Sequence, residues 1–455
     1  MNNRRLRIAL ISEHASPAAP SSSGRADEED IHVAQVARCL AAAGHHVDVL
    51  TRRDAPTQPA VAVLPRGVRV LHLDAGPPCF VPKPALLPYM AAFSDAAHRV
   101  FELDAPYDVV HANFFMSGWV GLSLRERFDV PLVTTFHAMS LAQREHQREH
   151  QRDSTDEADA ARLDIERTVA RQSDCVIAGC PQDEDAMQRL YGVEPARISV
   201  VPCGVDTLAL RPGDRREARD RLKLARDEFI VLQHGGLLPH QGIDNVLRAL
   251  ALLDKAPAPP GSQRPRLVVV TDGADAPGES LAPAVVGLRQ LAAELGVAER
   301  VQFMGRRECA HLRDLYVAAD VFVTTPWYEP FGLTPLEAMA CGTPVVGSTV
   351  GGVGYTVVDG VTGFLVPPHD SVALATRLAA LRAAPALGAD MGRAGVRRMR
   401  THFTWEQAAL RLARVYAMAS ARSFATPSAA TTRRHHALPS GPAPAPVSAA
   451  QLARR

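Results

Sequence analysis

The sequence predicts an α/β protein built from two doubly wound parallel sheets. Three observations carry this expectation. The chain has 455 residues, too many for one ordinary hydrophobic core. Short apolar, β-branched runs alternate with amphipathic stretches, the pattern of parallel strands joined by crossover helices. That alternation lapses after position 202 and restarts at Phe229.

Taken in order, residues 7–12 read as a buried opening strand, followed by a polar loop over 13–30 and an amphipathic helix over 31–43. Gly44 is placed to end that helix, because glycine accepts the left-handed cap. Further strands are expected at 46–51, 68–73, 107–112, 131–137, 173–178 and 198–202. Residues 204–226 read as a linker with a short charged helix. The second half supplies strands at 229–234, 266–270, 301–304, 321–323, 344–346 and 363–366. A last helix is expected over 404–419. The tail 421–455 is rich in Ala, Pro, Ser and Arg without apolar periodicity, so disorder is expected there. Residues 143–152 repeat Gln-Arg-Glu-His, read as a solvated charged face.

Composition narrows the function. Hydrophobic residues make up 47 % and charged residues 22 %, ordinary for α/β packing, and a net charge of +1 argues against a nucleic-acid partner. The seven cysteines are scattered, odd in number and without paired zinc-ligand spacing, so buried free thiols are expected. No apolar run reaches the roughly 18 residues that span a bilayer. The basic start is followed by an apolar stretch too short for a secretory signal. A cytoplasmic protein is expected.

The most informative segment runs from Glu329 to Gly342, with carboxylates at 329 and 337, eight positions apart. It follows an apolar strand-like run and enters a helix in which Pro335 suits the first turn. One glutamate therefore lies on the loop leaving a strand and the other inside the next helix. Between them the backbone N–H groups of the loop and helix start offer a seat for an anion. Carboxylates beside such a seat suit a ligand with both hydroxyls and phosphates. Two other motifs carry less. The glycines of 347–354 lack the spacing and the later acidic residue of a dinucleotide fingerprint and read as a turn, and Asp272 with Asp275 reads as a loop.

With Leu315-Tyr316-Val317-Ala318-Ala319-Asp320, Gly342-Thr343-Pro344-Val345-Val346 and Asp359-Gly360-Val361-Thr362-Gly363, this carboxylate pair resembles the signature of the group 1 (family 4) retaining glycosyltransferases. The first half adds Gly44-His45-His46-Val47-Asp48-Val49, His111-Ala112-Asn113, Phe136-His137-Ala138 and Val201-Pro202-Cys203-Gly204-Val205-Asp206, so the resemblance spans residues 5–420. It implies the GT-B fold, two Rossmann-like domains facing a cleft. The expected divisions are 1–205 on the acceptor side, 206–395 binding the nucleotide sugar, a crossover helix at 396–420 and the tail.

The resemblance further implies sugar transfer from a nucleotide diphosphate sugar to an acceptor hydroxyl with retention of configuration, as by a hexosyltransferase. Glu337 would accept the ribose hydroxyls. Glu329 would lie nearer the sugar, and the amides of Phe331, Gly332, Leu333 and Thr334 would face sugar and phosphate. His137, at a strand's carboxyl end, resembles the histidine that contacts the donor sugar. The acceptor is left as a carbohydrate, a lipid or a small molecule, with peripheral membrane contact following only from a lipid. No cofactor or metal is expected.

The chain departs from the family where the diphosphate sits. Gly236 and Gln241 stand where an arginine and a lysine supply cations, and Asp27-Glu28-Glu29-Asp30 replaces a Gly-Gly-Gln loop. Compensation would come from Arg25, from protonated His240 or from a divalent ion bridging the acidic loop. The alternative reading is a catalytically impaired relative acting as a binding or scaffold partner. A third class, a sugar-nucleotide epimerase or a phosphorylase on the same fold, is disfavoured for the phosphorylase by the scarcity of lysine.

Overall fold

The computed structural model describes residues 4–14, 16–18, 28–148, 157–255, 264–271, 283–305, 309–329 and 331–425. Residues 24–27 of the acidic loop and its flank, 149–152 of the Gln-Arg-Glu-His repeat, Asp272, Asp275 and the tail from 426 lie outside them. The chain divides into two units. The first takes in Met1–Ile177, Met187–Ser199 and the chain from Ala409, and the second takes in Ala178–Ala186 and Val200–Ala408.

The first unit's sheet comprises β1 (Arg7–Ile11), β2 (His46–Arg52), β3 (Val61–Val63), β4 (Arg69–Leu73), β5 (Val109–Asn113), β6 (Leu132–Thr135), β7 (Cys175–Ala178) and β8 (Ile198–Val200). Their order is β3-β4-β2-β1-β5-β6-β7-β8. The ladders from β4 through β2, β1, β5 and β6 to β7 are parallel, and β3 joins β4 antiparallel. Ile8, Ala9, Leu10 and Ile11 are all buried, as both faces of a central parallel strand must be. Edge strand β3 escaped the sequence reading: it has three residues, with Val61 and Val63 exposed, and offers no apolar alternation.

The second unit's sheet comprises β9 (Phe229–His234), β10 (Pro265–Val270), β11 (Val301–Met304), β12 (Val321–Thr324), β13 (Val345–Ser348) and β14 (Gly363–Val366). The order β11-β10-β9-β12-β13-β14 is parallel throughout. Residues of β9 feed two cores: Ile230 and Leu232 join one cluster and Val231 the other, one on each face. Two such α/β units constitute the GT-B fold. The glycine run expected as a turn ends β13 and then winds into the helix Gly351–Thr356.

The C-terminal segment is two helices, Pro385–His402 and Trp405–Ala425, broken at Phe403 and Thr404. The break is fixed by the start of the second unit, where Val205 N donates to Phe403 O at 3.0 Å and Val205 bridges Thr404. Gly204 lies so close that a Cβ there would stand 2.2 Å from Trp405 N, so only glycine fits. Later in the last helix, Tyr416 donates to His111 Nδ1 at 2.6 Å and Ser420 to Asp108 O at 3.0 Å within the first unit. Among the described residues, no single helix is long and apolar enough to cross a membrane.

Candidate functional site

Open α/β sheets bind ligands beyond the carboxyl ends of their strands, where the winding direction reverses. The reversal lies between β1 and β5 in the first sheet and between β9 and β12 in the second. The predicted site residues leave strands at or next to these two points, and each unit can be built from them.

In the second unit, β9 runs into Gly235 and Gly236, and β12 runs into the loop carrying Glu329. The two loops interlock. Gly242, at φ 67°, brings its backbone against β12, and a Cβ there would stand 2.2 Å from Thr325 O. Thr325 in turn donates to Gly242 O at 3.0 Å, and Trp327 N donates to His240 O at 2.9 Å. The Gln241 amide folds over the glycines, its Oε1 3.0 Å and 3.5 Å from where side chains on Gly235 and Gly236 would begin. Burial lowers the His240 pKa, which disfavours the protonated form that compensation by this residue would need.

Glu329 folds back on its own loop. Its Oε1 accepts from Phe331 N at 3.3 Å and Gly332 N at 3.1 Å, so the first two amides of the expected anion seat already hold a carboxyl oxygen. Leu333 and Thr334 form the first turn of the helix Leu333–Ala340, which Gly332 starts in the left-handed conformation without a capping side chain. Burial raises the Glu329 pKa, against the pull of those two amides. Asp183, at the start of the helix Pro181–Tyr191, shares this environment. Its Oδ2 accepts from Gly179 N at 3.2 Å, and burial, with the charge of Glu329 adding to it, lifts its pKa to about 7. The neighbouring Gln182 accepts from Gly351 N while Glu329 O accepts from Gly352 N at 2.8 Å, tying the helix start and the Glu329 loop to one glycine pair.

Glu337 projects from Leu333–Ala340, a helix otherwise sunk in the core through Leu336, Ala338, Met339 and Ala340. Its side chain is 20 % exposed. Its Oε2 accepts from Tyr316 Oη at 2.7 Å, and His234 Nδ1 lies 3.0 Å from the same phenol oxygen. A cavity of about 950 Å³ in this unit lies elsewhere, beside Phe229, Asp320 and Thr343 at the amino ends of the strands. It is therefore not the pocket of the predicted residues.

In the first unit, His14 follows β1, Phe114 follows β5 and His137 follows β6. Asn113 Nδ2 donates to Ile11 O at 3.4 Å, which turns its Oδ1 toward His137 Nε2 at 2.9 Å. That network assigns the proton to Nε2 and leaves Nδ1 as the acceptor nitrogen. Burial holds the His137 pKa down at about 3, so the ring is neutral, and its φ of 60° is a strained conformation for a non-glycine residue. It meets His32 edge-on, with centroids 5.0 Å apart.

Within the acidic loop, Glu29 is buried, lies 3.2 Å from His14 Nε2 and accepts from Lys83 Nζ at 3.2 Å. Burial opposes the charge on His14, yet Glu29 and Glu13 outweigh it and raise its pKa to about 10. Burial would raise the Glu29 pKa, yet His14, then His137 and Lys83, lower it. Glu13 also accepts from Ser117 Oγ, and Asp30 lies 3.8 Å from His14. Lys83 and Arg162 flank Phe114, 5.5 and 5.4 Å from its ring centroid.

Sequence reasoning passed over Tyr316, His234, Asp183, His14 and Lys83. Tyr316 stood within a quoted motif without a role, because nothing in sequence says that its hydroxyl meets a side chain 21 positions away. His14 and Asp183 carried a usable signal, since each follows the end of a predicted strand within a few positions.

Known proteins resemble this chain over nearly all of its length. Residues 214–398 match the family described as glycosyl transferases group 1, and residues 30–208 match glycosyltransferase family 4. D-inositol 3-phosphate glycosyltransferase 2 of Catenulispora acidiphila is 36 % identical over 413 residues, 90 % of this chain and 94 % of that protein. Among solved structures, sucrose-phosphate synthase from Thermosynechococcus elongatus aligns with a TM-score of 0.78 at 34 % identity, covering 92 % of this chain and all of that one. HepE of Anabaena, solved in complex with UDP, aligns with a TM-score of 0.67 at 22 % identity over 91 % of this chain and all of its own, a likeness of fold alone.

Proposed function

The chain belongs to the group 1 glycosyltransferases, and from that premise we propose that it transfers a hexose from a nucleoside diphosphate sugar to an acceptor hydroxyl with retention of configuration. The observation that carries the reading is Glu337, a partly exposed carboxylate held by Tyr316 beside the winding reversal of the second sheet. A carboxylate so held suits the vicinal diol of a ribose. Glu329 and the amides of Phe331, Gly332, Leu333 and Thr334 then take the sugar and diphosphate.

In this reading His137, neutral and with Nε2 committed to Asn113, orients the sugar rather than moving a proton. The acceptor oxygen bonds to the anomeric carbon as the bond to the diphosphate breaks on the same face. The departing diphosphate takes the hydroxyl proton. Catalysis is then positioning with electrostatic stabilisation of the leaving group, and no protein nucleophile is required.

For the acceptor we propose a phosphorylated polyol. Two relatives are named for phosphorylated polyhydroxy compounds, inositol 3-phosphate and sucrose phosphate. Lys83 and Arg162, flanking Phe114, are the cations suited to such a phosphate. The rival reading, a binding partner without catalysis, draws on Gln241, a neutral amide folded over the glycines where relatives carry a cation.

Isothermal titration of the purified chain with UDP, ADP and GDP tests the donor reading. At least one should bind, and Glu337→Ala should weaken it by about one to two decades, the worth of charge-assisted bonds to two hydroxyls. No binding by any nucleotide, with or without magnesium, would support the non-catalytic rival.

A further inference from the structure

Glu337 is not held by its own helix alone. Three elements meet at it: β9 brings His234, the helix Cys309–Ala318 brings Tyr316, and the helix Leu333–Ala340 brings the carboxylate. Tyr316 is fully buried, its ring packed edge-on against Phe322 with centroids 5.4 Å apart and its carbonyl accepting from Thr343 Oγ1 at 2.6 Å. The phenol is therefore fixed from both ends of the residue and serves as a rigid support.

The Tyr316 hydroxyl donates to Glu337 Oε2 at 2.7 Å. The phenol oxygen keeps acceptor capacity for His234, whose Nδ1 lies 3.0 Å away, in the tautomer that carries a proton on that nitrogen. His234 Nδ1 is 3.9 Å from Glu337 Oε2, and its ring stands edge-on to Tyr316. His234 is also the last residue of β9, immediately before Gly235.

We propose that Tyr316 and His234 are positioning residues for the transfer reaction: they hold the Glu337 carboxylate in the one orientation that reads the ribose diol of the donor. The inference rests on the reading of Glu337 given above and deepens it, because recognition of the diol is assigned to a three-residue chain. In this proposal His234 acts through Tyr316, and Tyr316 through the carboxylate. The ligand property they govern is therefore the hydroxyl pattern of the ribose, and neither the base nor the diphosphate is read by them.

The experiment compares UDP with 2′-deoxy-UDP by titration calorimetry. Wild-type protein should favour UDP by about tenfold, one hydrogen bond to a charged group. Tyr316→Phe keeps the ring in its core and removes only the hydroxyl. It should weaken UDP by about tenfold and leave 2′-deoxy-UDP nearly unchanged, so the ratio falls toward one. His234→Leu should move the ratio the same way. His234→Asn, whose amide N–H overlays Nδ1, should recover most of it, a rescue that a merely structural role would not predict. Melting curves check that each variant is folded, and the His234 pair stands by itself if Tyr316→Phe does not fold. Equal UDP preference in wild type, Tyr316→Phe and His234→Leu would overturn this proposal while leaving the donor reading intact. If wild type binds ADP or GDP instead of UDP, the same comparison is made with that nucleotide and its 2′-deoxy form; failure to bind any of the three, or to distinguish the bound one from its deoxy form, would overturn both.

Discussion

At the residue scale, the most consequential feature is the buried ion pair of His14 and Glu29, which gives one acid of an apparently repulsive loop a cationic partner. The His14 pKa is raised to about 10 from 6.5, so its contribution to stability is complete below about 6.5 and is lost as pH climbs through about 10. Glu29, lowered from 4.5, contributes above that value and loses its contribution on acidification through its depressed folded pKa. Glu29→Gln leaves a buried imidazolium short of its main partner. It should cost about 3 kcal/mol at pH 7 and flatten the alkaline loss, as measured by urea unfolding from pH 6 to 10. An unchanged pH slope would mean that the pair does not carry that dependence. Such pairing was not legible beforehand. The sequence displays the four acids together, but the cations that answer them come from positions 14 and 83. Glu329 and Glu337 could be read because their own spacing, with strand before and helix after, already specifies where each lies.

At the scale of elements, strand positions were legible wherever a parallel strand is buried on both faces, since burial leaves an unbroken apolar run such as Phe229–His234 or Gly363–Val366. The exceptions have physical reasons. Strand β3 is exposed, and the helix Gly351–Thr356 forms from glycine-rich sequence because Glu329 O and Gln182 receive its first amides. The break before Trp405 also depends on a distant partner. Gly204→Ala would drive a methyl to 2.2 Å from Trp405 N and 2.4 Å from Thr404 C, both backbone atoms that cannot rotate away. This change should destabilise the protein by about 1–3 kcal/mol. Gly192→Ala, at φ 68° with nothing within 4 Å, should cost only about 1 kcal/mol for its backbone conformation. Thermal melts of the two variants side by side check this, and equal shifts would refute the close-contact account.

At the scale of the whole molecule, the two sheet orders explain why residues far apart in sequence collect at two places. Each winding reversal gathers loops whose strands are neighbours in the sheet but not in the chain. The order was implied by the alternation of strands and helices, whereas the loop contacts were not, because they depend on side-chain reach. Cations are distributed unevenly between these places: the first unit's reversal carries His14 and Lys83 among Glu13, Glu29 and Asp30, while Gly236 and Gln241 give the second unit's glycine loop none. Gly236→Arg with Gln241→Lys should raise UDP affinity by about two decades or more, at about 1.5–3 kcal/mol per charge-assisted bond. The pair is sterically coherent, since the atom nearest a new Cβ at 236 belongs to Gln241, which the second change replaces. The gain should shrink with added salt. Titration at low and high ionic strength measures it, and no gain at either would show that these positions do not face the diphosphate.

Glu329 satisfies Phe331 N and Gly332 N from within the loop itself. Under the proposed donor reading, an incoming phosphate would trade places with that carboxyl group instead of meeting bare donors. Such an exchange would nearly conserve the number of bonds, which would limit affinity and ease release of the spent nucleotide. A catalyst gains from that arrangement, since throughput depends on letting go as much as on holding.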